Sequence, residues 1–120
     1  MQSIMIRGKL PTCNEYIDAC RKNRFAAAKM KRDAEELIIW QAKRMKPITC
    51  KCWIQFVWCE ENRKRDPDNI AFGKKFILDA LQKCGKLKND NSKFIAGFND
   101  RFIYGKEYGV EITITEAENG

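Results

Sequence analysis

Apolar and polar positions along this 120-residue chain change period several times, and each change marks an element. Ser3–Arg7 carries Ile4 and Ile6 in phase, as a short strand does, and Leu10-Pro11 closes it. Thr12-Cys13-Asn14-Glu15 has the S/T-x-x-E form of a capping box, so a helix starts at Thr12. A break is expected within Arg21–Arg24, followed by a longer helix from Phe25 to Met45. That helix places Met30, Ala34, Leu37, Ile38 and Met45 on one core-facing stripe. Beyond Pro47 the period drops to two. From Ile48 to Cys59 the residues Ile48, Cys50, Cys52, Ile54, Phe56 and Trp58 share one face of a strand.

After a polar loop from Glu60 to Arg65, Asp68 or Asn69 caps a helix that runs to Lys83 and stops at Cys84-Gly85. Lys88–Lys93 is a polar turn. Phe94–Phe98 and Arg101–Tyr104 read as further strand, and Val110, Ile112 and Ile114 alternate with polar residues as a last strand. The order β-α-α-β-α-β-β predicts an α+β fold, with helices packed on a small mixed sheet. The length suits a single domain spanning 1–120.

Composition narrows the chemistry. The chain holds 23 Lys and Arg against 16 Asp and Glu, a net charge of +7, which favours a polyanionic partner. It has no histidine, so Ser-His-Asp and Cys-His catalysis are excluded, as is any histidine-ligated zinc finger. Water activation then falls to a metal, a carboxylate or a lysine. The six cysteines include no CxxC pair, and the spacing points to free structural thiols rather than a zinc site or a disulfide. No signal-peptide pattern or membrane-length apolar run is present, so a cytoplasmic protein without membrane contact is expected.

The segment Asn62-Arg63-Lys64-Arg65-Asp66-Pro67-Asp68-Asn69 combines positive charge with two carboxylates two residues apart. Pro67 pushes Asp66 into an extended conformation, and side chains two apart on extended chain share a side. Asp66 and Asp68 are thus expected to converge, and clustered carboxylates beside basic residues suit Mg²⁺, or Mn²⁺. The bland alternative is a helix cap with one solvated neighbour.

Asp66-Pro67-Asp68-Asn69, then Lys74-Lys75 leading to Asp79-Ala80-Leu81, then Gly85 and Asn89-Asp90, resembles the RusA family of Holliday junction resolvases. Leu10-Pro11, Asn14 and Tyr16 near the start and the Val110–Thr115 strand near the end are similar to that family too. The resemblance implies a homodimeric, Mg²⁺-dependent endodeoxyribonuclease, commonly phage- or prophage-borne, that nicks opposed strands of a four-way DNA junction in recombination and repair. No small-molecule cofactor is implied. By position it assigns the catalytic and metal-binding carboxylates to Asp66, Asp68 and Asp90.

The family lysine is offset here by three extra residues. Lys75 is assigned because seven helical residues return to within roughly 20° of the Asp68 direction, whereas Lys74 lies roughly 120° away. Asn89 stands where the family often has a second acid. Asp79 is expected to be structural, pairing with Lys75 or Lys83. Arg63, Lys64, Arg65, Lys74, Lys86 and Lys88 are the expected DNA-backbone contacts. The alternatives are a nuclease for another branched DNA and a non-enzymatic basic DNA-binding module.

Overall fold

The computed structural model describes residues 1–117, which form one layer of helices on a mixed four-stranded sheet. The elements are β1 (Gln2–Arg7), α1 (Cys13–Lys22), α2 (Arg24–Gln41), β2 (Cys52–Glu60), α3 (Pro67–Ala71), α4 (Gly73–Lys83), β3 (Ile95–Tyr104) and β4 (Gly109–Glu116). Strand order is β1-β4-β2-β3, with β1/β4 and β4/β2 antiparallel and β2/β3 parallel. The parallel pair follows from the connection: α3 and α4 carry the chain back across the sheet before β3 begins.

One face of the sheet forms the core. Ile54, Phe56 and Trp58 of β2 stand opposite Ile114, Ile112 and Val110 of β4, and Ile4 and Ile6 of β1 extend the row. Helix α2 lays Ala34 and Ile38 into this core, and α4 adds Phe76, Ile77, Ala80 and Leu81. Burying one large aliphatic or aromatic side chain stabilises the fold by about 1.5–3 kcal/mol, so this cluster supplies the main driving force.

Local signals at the first helices act as anticipated. The Thr12 side chain accepts from the Glu15 N–H at 3.2 Å, and the Glu15 carboxylate accepts from the Thr12 N–H at 3.2 Å. The break falls at Asn23, whose side chain accepts from the Ala26 N–H at 2.7 Å and so starts α2.

Four boundaries differ. Helix α2 ends at Gln41, and Met45 reaches the core from a turn after it. Strand β2 begins at Cys52, because Ile48 forms a separate parallel bridge to Leu87 and the chain between them loops out. Cys50 is therefore exposed, not on the core face with Cys52. The predicted helix to Lys83 is two helices, broken at Phe72, and Asp66 rather than Asp68 or Asn69 occupies the cap position. Phe94–Phe98 and Arg101–Tyr104 join into the single strand β3. No described helix is long and apolar enough to cross a membrane.

Candidate active site

The loop that follows β2 delivers Asp66 and Asp68, and an ion pair fixes its course. Arg65 donates from Nε and Nη2 to the two carboxylate oxygens of Glu60, each at 2.8 Å, and from Nη1 to the Leu10 carbonyl at 2.9 Å. The Glu60 side chain is 3% exposed and that of Arg65 13%, so water contributes little to either charge. A bidentate fork of this kind fixes geometry as well as charge. Arg65 was expected to bind DNA; it instead holds the loop to the end of β2 and to the segment before α1.

Asp66 has the extended backbone that Pro67 imposes, with φ −77° and ψ 147°, and its side chain makes no cap hydrogen bond. Asp68 lies in the first turn of α3, so the two carboxylates flank a loop-to-helix junction and do not share an extended segment. The Asp68 carboxylate accepts from the Asn69 N–H at 2.9 Å. The Asn69 side-chain oxygen in turn accepts from the Asn14 N–H at 3.1 Å, fastening α3 to the first turn of α1. An open recess beside this junction is lined by Thr12, Asn14, Glu15, Lys64, Arg65, Asp66 and Asn69. Asp66 and Asp68 are both exposed. Exposed carboxylate oxygens are hard donors of the type Mg²⁺ takes.

Asp90 is elsewhere. It follows the Ile48–Leu87 bridge and precedes the turn in which Asn91 accepts from the Phe94 and Ile95 N–H groups, beside the first residue of β2. Asp66 and Asp68 follow the last residue of β2. The eight steps from Cys52 to Glu60 cover about 26 Å at about 3.3 Å each. The expected convergence of three acids within one chain is therefore corrected: β2 and β3 run parallel, which sets the DxD loop and the Asp90 turn at opposite ends of the sheet. Among the described residues no three His, Cys, Asp or Glu side chains gather closely enough to share a metal.

The two lysines diverge. Lys75 is exposed and pairs with Asp79 at 3.3 Å, as the i,i+4 spacing predicts, and Lys31 of α2 meets the other Asp79 oxygen at 3.2 Å. The Asp79 hydrogen bond raises the pKa of Lys31, outweighing its partial burial. Lys83 pairs not with Asp79 but with the buried Glu35 at 2.8 Å. Lys74 turns onto the sheet, between the rings of Phe56 and Phe98, and donates to Asp100 at 2.8 Å. Phe72, with φ −57° and ψ −27°, separates α3 from α4, so Asp68 and Lys75 lie on different helices and not on one continuous helix as expected.

Asp100 is the acid that the sequence did not single out. It also accepts from the Trp58 indole N–H at 2.9 Å, giving a half-buried Trp58–Asp100–Lys74 cluster on the helix-covered face. The alternation of Phe98, Asp100 and Phe102 contains the signal, but the polar run Asn99–Arg101 hides it.

The remaining basic residues divide between the two ends. Arg63 stacks over Tyr104 at 4.2 Å, and Lys64 lines the recess beside Asp66. Lys86, which donates to the Lys43 carbonyl at 3.2 Å, and the exposed Lys88 lie on the Asp90 side. Compared with known proteins, the chain matches no protein-family model and no curated sequence.

Proposed function

We propose that this chain is a divalent-metal-dependent endodeoxyribonuclease of the RusA type that resolves four-way DNA junctions by paired nicks. One observation carries the reading: Asp66 and Asp68 are exposed at a loop-to-helix junction, next in sequence to Arg63 and Lys64, while the neighbouring Arg65 is consumed in fixing the loop. A helix cap needs only one acceptor. Here the cap-position carboxylate of Asp66 makes no cap bond and is left for a ligand.

Asp66 and Asp68 would hold Mg²⁺, or Mn²⁺, with Asp90 as the third carboxylate. When bound, the ion lowers the pKa of a coordinated water and offsets charge on the scissile phosphate. Arg63 and Lys64 attract the DNA backbone, as do Lys86 and Lys88 at the Asp90 end. Lys75, paired with Asp79 at 3.3 Å but 59% exposed, is the lysine more open to a phosphate, whereas Lys74, 19% exposed, is paired with Asp100 at 2.8 Å. Because one chain sets Asp90 apart from the other two acids, a complete site needs a second copy that presents its own Asp90. A homodimer thereby acquires a chemical reason beyond the two-fold form of the substrate.

The test is cleavage of a synthetic four-way junction in Mg²⁺, with a fork and a linear duplex beside it, for the wild type and for Asp66→Asn. Symmetric nicks in the junction alone, lost in the variant but with junction binding kept, are expected. Cleavage of the fork instead would assign another branched substrate. Binding with no Mg²⁺-dependent cleavage would make the chain a DNA-binding module.

A further inference from the structure

We propose that the open face of the sheet binds a single nucleic-acid strand, stacking an unpaired base on Trp53 and holding the nucleotide through Gln55, Asn99 and Arg101. The helices cover one face of the sheet, where Ile54, Phe56 and Trp58 lie; the alternate residues of each strand face the other way, into solvent. Strand register sets Trp53 between Gly97 and Thr115, and sets Gln55 in the next row between Asn99 and Thr113. Arg101 stands one row further along, opposite Val57. These residues line an open recess of about 560 Å³, within the range of about 300–1,000 Å³ that small-ligand sites occupy.

The recess holds what an unpaired nucleotide needs. Trp53 is 53% exposed. Its indole lies over Gly97, where any added Cβ would overlap the six-membered ring, so β3 supports the indole while much of its surface stays bare. A flat aromatic ring stacks on any of the bases, because every base has a π-face. Thr113 bonds the Ser3 hydroxyl at 2.9 Å, whereas no described residue bonds the side chains of Gln55, Asn99 or Arg101. The two amides offer donors and acceptors to a base edge, and the guanidinium fits a phosphate bidentately.

Charge agrees with this occupant. Asp100 also borders the recess, but Trp58 and Lys74 hold its carboxylate on the helix face. Glu111, the one acid among the strand residues facing solvent on this side, is two strands from Arg101 and outside the recess. Arg101 therefore sets the local sign, on a chain of net charge +7. Bases in an intact duplex are stacked on one another and offer no free face, which makes the ligand an unpaired strand. The recess shares no residue with the DxD loop and uses no metal, so it is independent of the nuclease reading.

The test is fluorescence polarisation of a labelled oligo-dT of about ten nucleotides with the full chain in EDTA, over a range of salt. The wild type is expected to bind oligo-dT between about fivefold and about a hundredfold more tightly than an abasic oligomer of equal length and charge. Trp53→Ala should lose that difference, whereas Trp40→Ala, which removes an indole 69% exposed on α2, should keep it. Arg101→Gln should lower the slope of log affinity against log salt by about 0.7. Circular dichroism checks that each variant folds. A wild type that binds the two oligomers equally, or a folded Trp53→Ala that binds oligo-dT at wild-type strength, overturns the proposal. If Trp53→Ala misfolds, the wild-type comparison of the two oligomers decides. Preference for a neutral oligosaccharide over oligo-dT would also overturn it, assigning the indole to sugar stacking. Junction cleavage without oligo-dT binding would sink this site alone, and oligo-dT binding by a chain that never cleaves would sink the nuclease reading alone.

Discussion

Replacing Arg65 with alanine separates the two roles that a basic residue beside an acidic pair can play. The guanidinium makes three hydrogen bonds of 2.8–2.9 Å, two to Glu60 and one to the Leu10 carbonyl. Its removal strands a carboxylate whose side chain is 3% exposed. Leaving one member of a buried ion pair without its partner costs about 3–5 kcal/mol. In a domain of this size that lowers Tm by roughly 12–20 °C, at about 4 °C per kcal/mol. Thermal unfolding followed by circular dichroism reads the shift. Arg65→Ala paired with Glu60→Gln should recover much of the loss, because the orphaned charge is then gone. If Arg65→Ala left Tm unchanged and weakened only DNA binding, Arg65 would be a solvated DNA contact, and the account of how the loop is held would be wrong.

Further outcomes follow from the same geometry. Asp66→Asn removes an exposed carboxylate with no cap bond, so its unfolding free energy should stay within about 0.5 kcal/mol of wild type; a larger loss would mean Asp66 is structural. Alkylation of the native protein should label the exposed Cys20 and Cys50 first and spare the buried Cys52 and Cys59 until unfolding. Burial is the first cause that raises the thiol pKa of Cys52 and Cys59, as the Asp79 hydrogen bond raises that of Lys31. Groups raised in the folded state hold protons that the unfolded chain has released. Their contribution is complete below the unfolded pKa values and is lost as pH rises through the folded ones. Denaturant midpoints should therefore be level up to about pH 8 and fall above about pH 9, first from the thiols and then from Lys31. A midpoint that rises in that range would contradict those assignments.

Much of the fold was legible because local chemistry and tertiary packing agree. Thr12 and Glu15 close a capping box in isolation, and Asn23 can both end one helix and start the next. Val110, Ile112 and Ile114 alternate cleanly because β4 is central and one of its faces meets the helices. Strand β3 was harder. It is an edge, and its middle carries Asp100, whose charge is met by Lys74 and Trp58 from elements far away in sequence. Periodicity carries no information about such partners.

The split of the candidate site has a similar origin. Each acidic segment could be recognised from its own residues, but their separation depends on β3 running parallel to β2. Cys50 shows the same limit on a smaller scale, since the Ile48–Leu87 bridge breaks an alternation that appears continuous in sequence.

The most direct measurement mixes two inactive proteins. Asp66→Asn and Asp90→Asn are each purified, combined so that subunits exchange, and assayed on a four-way junction with Mg²⁺. If each site takes Asp66 and Asp68 from one copy and Asp90 from the other, a mixed dimer carries one intact site and one doubly altered one. Random exchange makes about half of the dimers mixed, so about a quarter of all sites, and of wild-type nicking, should return. Nicking no greater than that of either variant alone, from a mixture shown to have exchanged, would contradict the shared site.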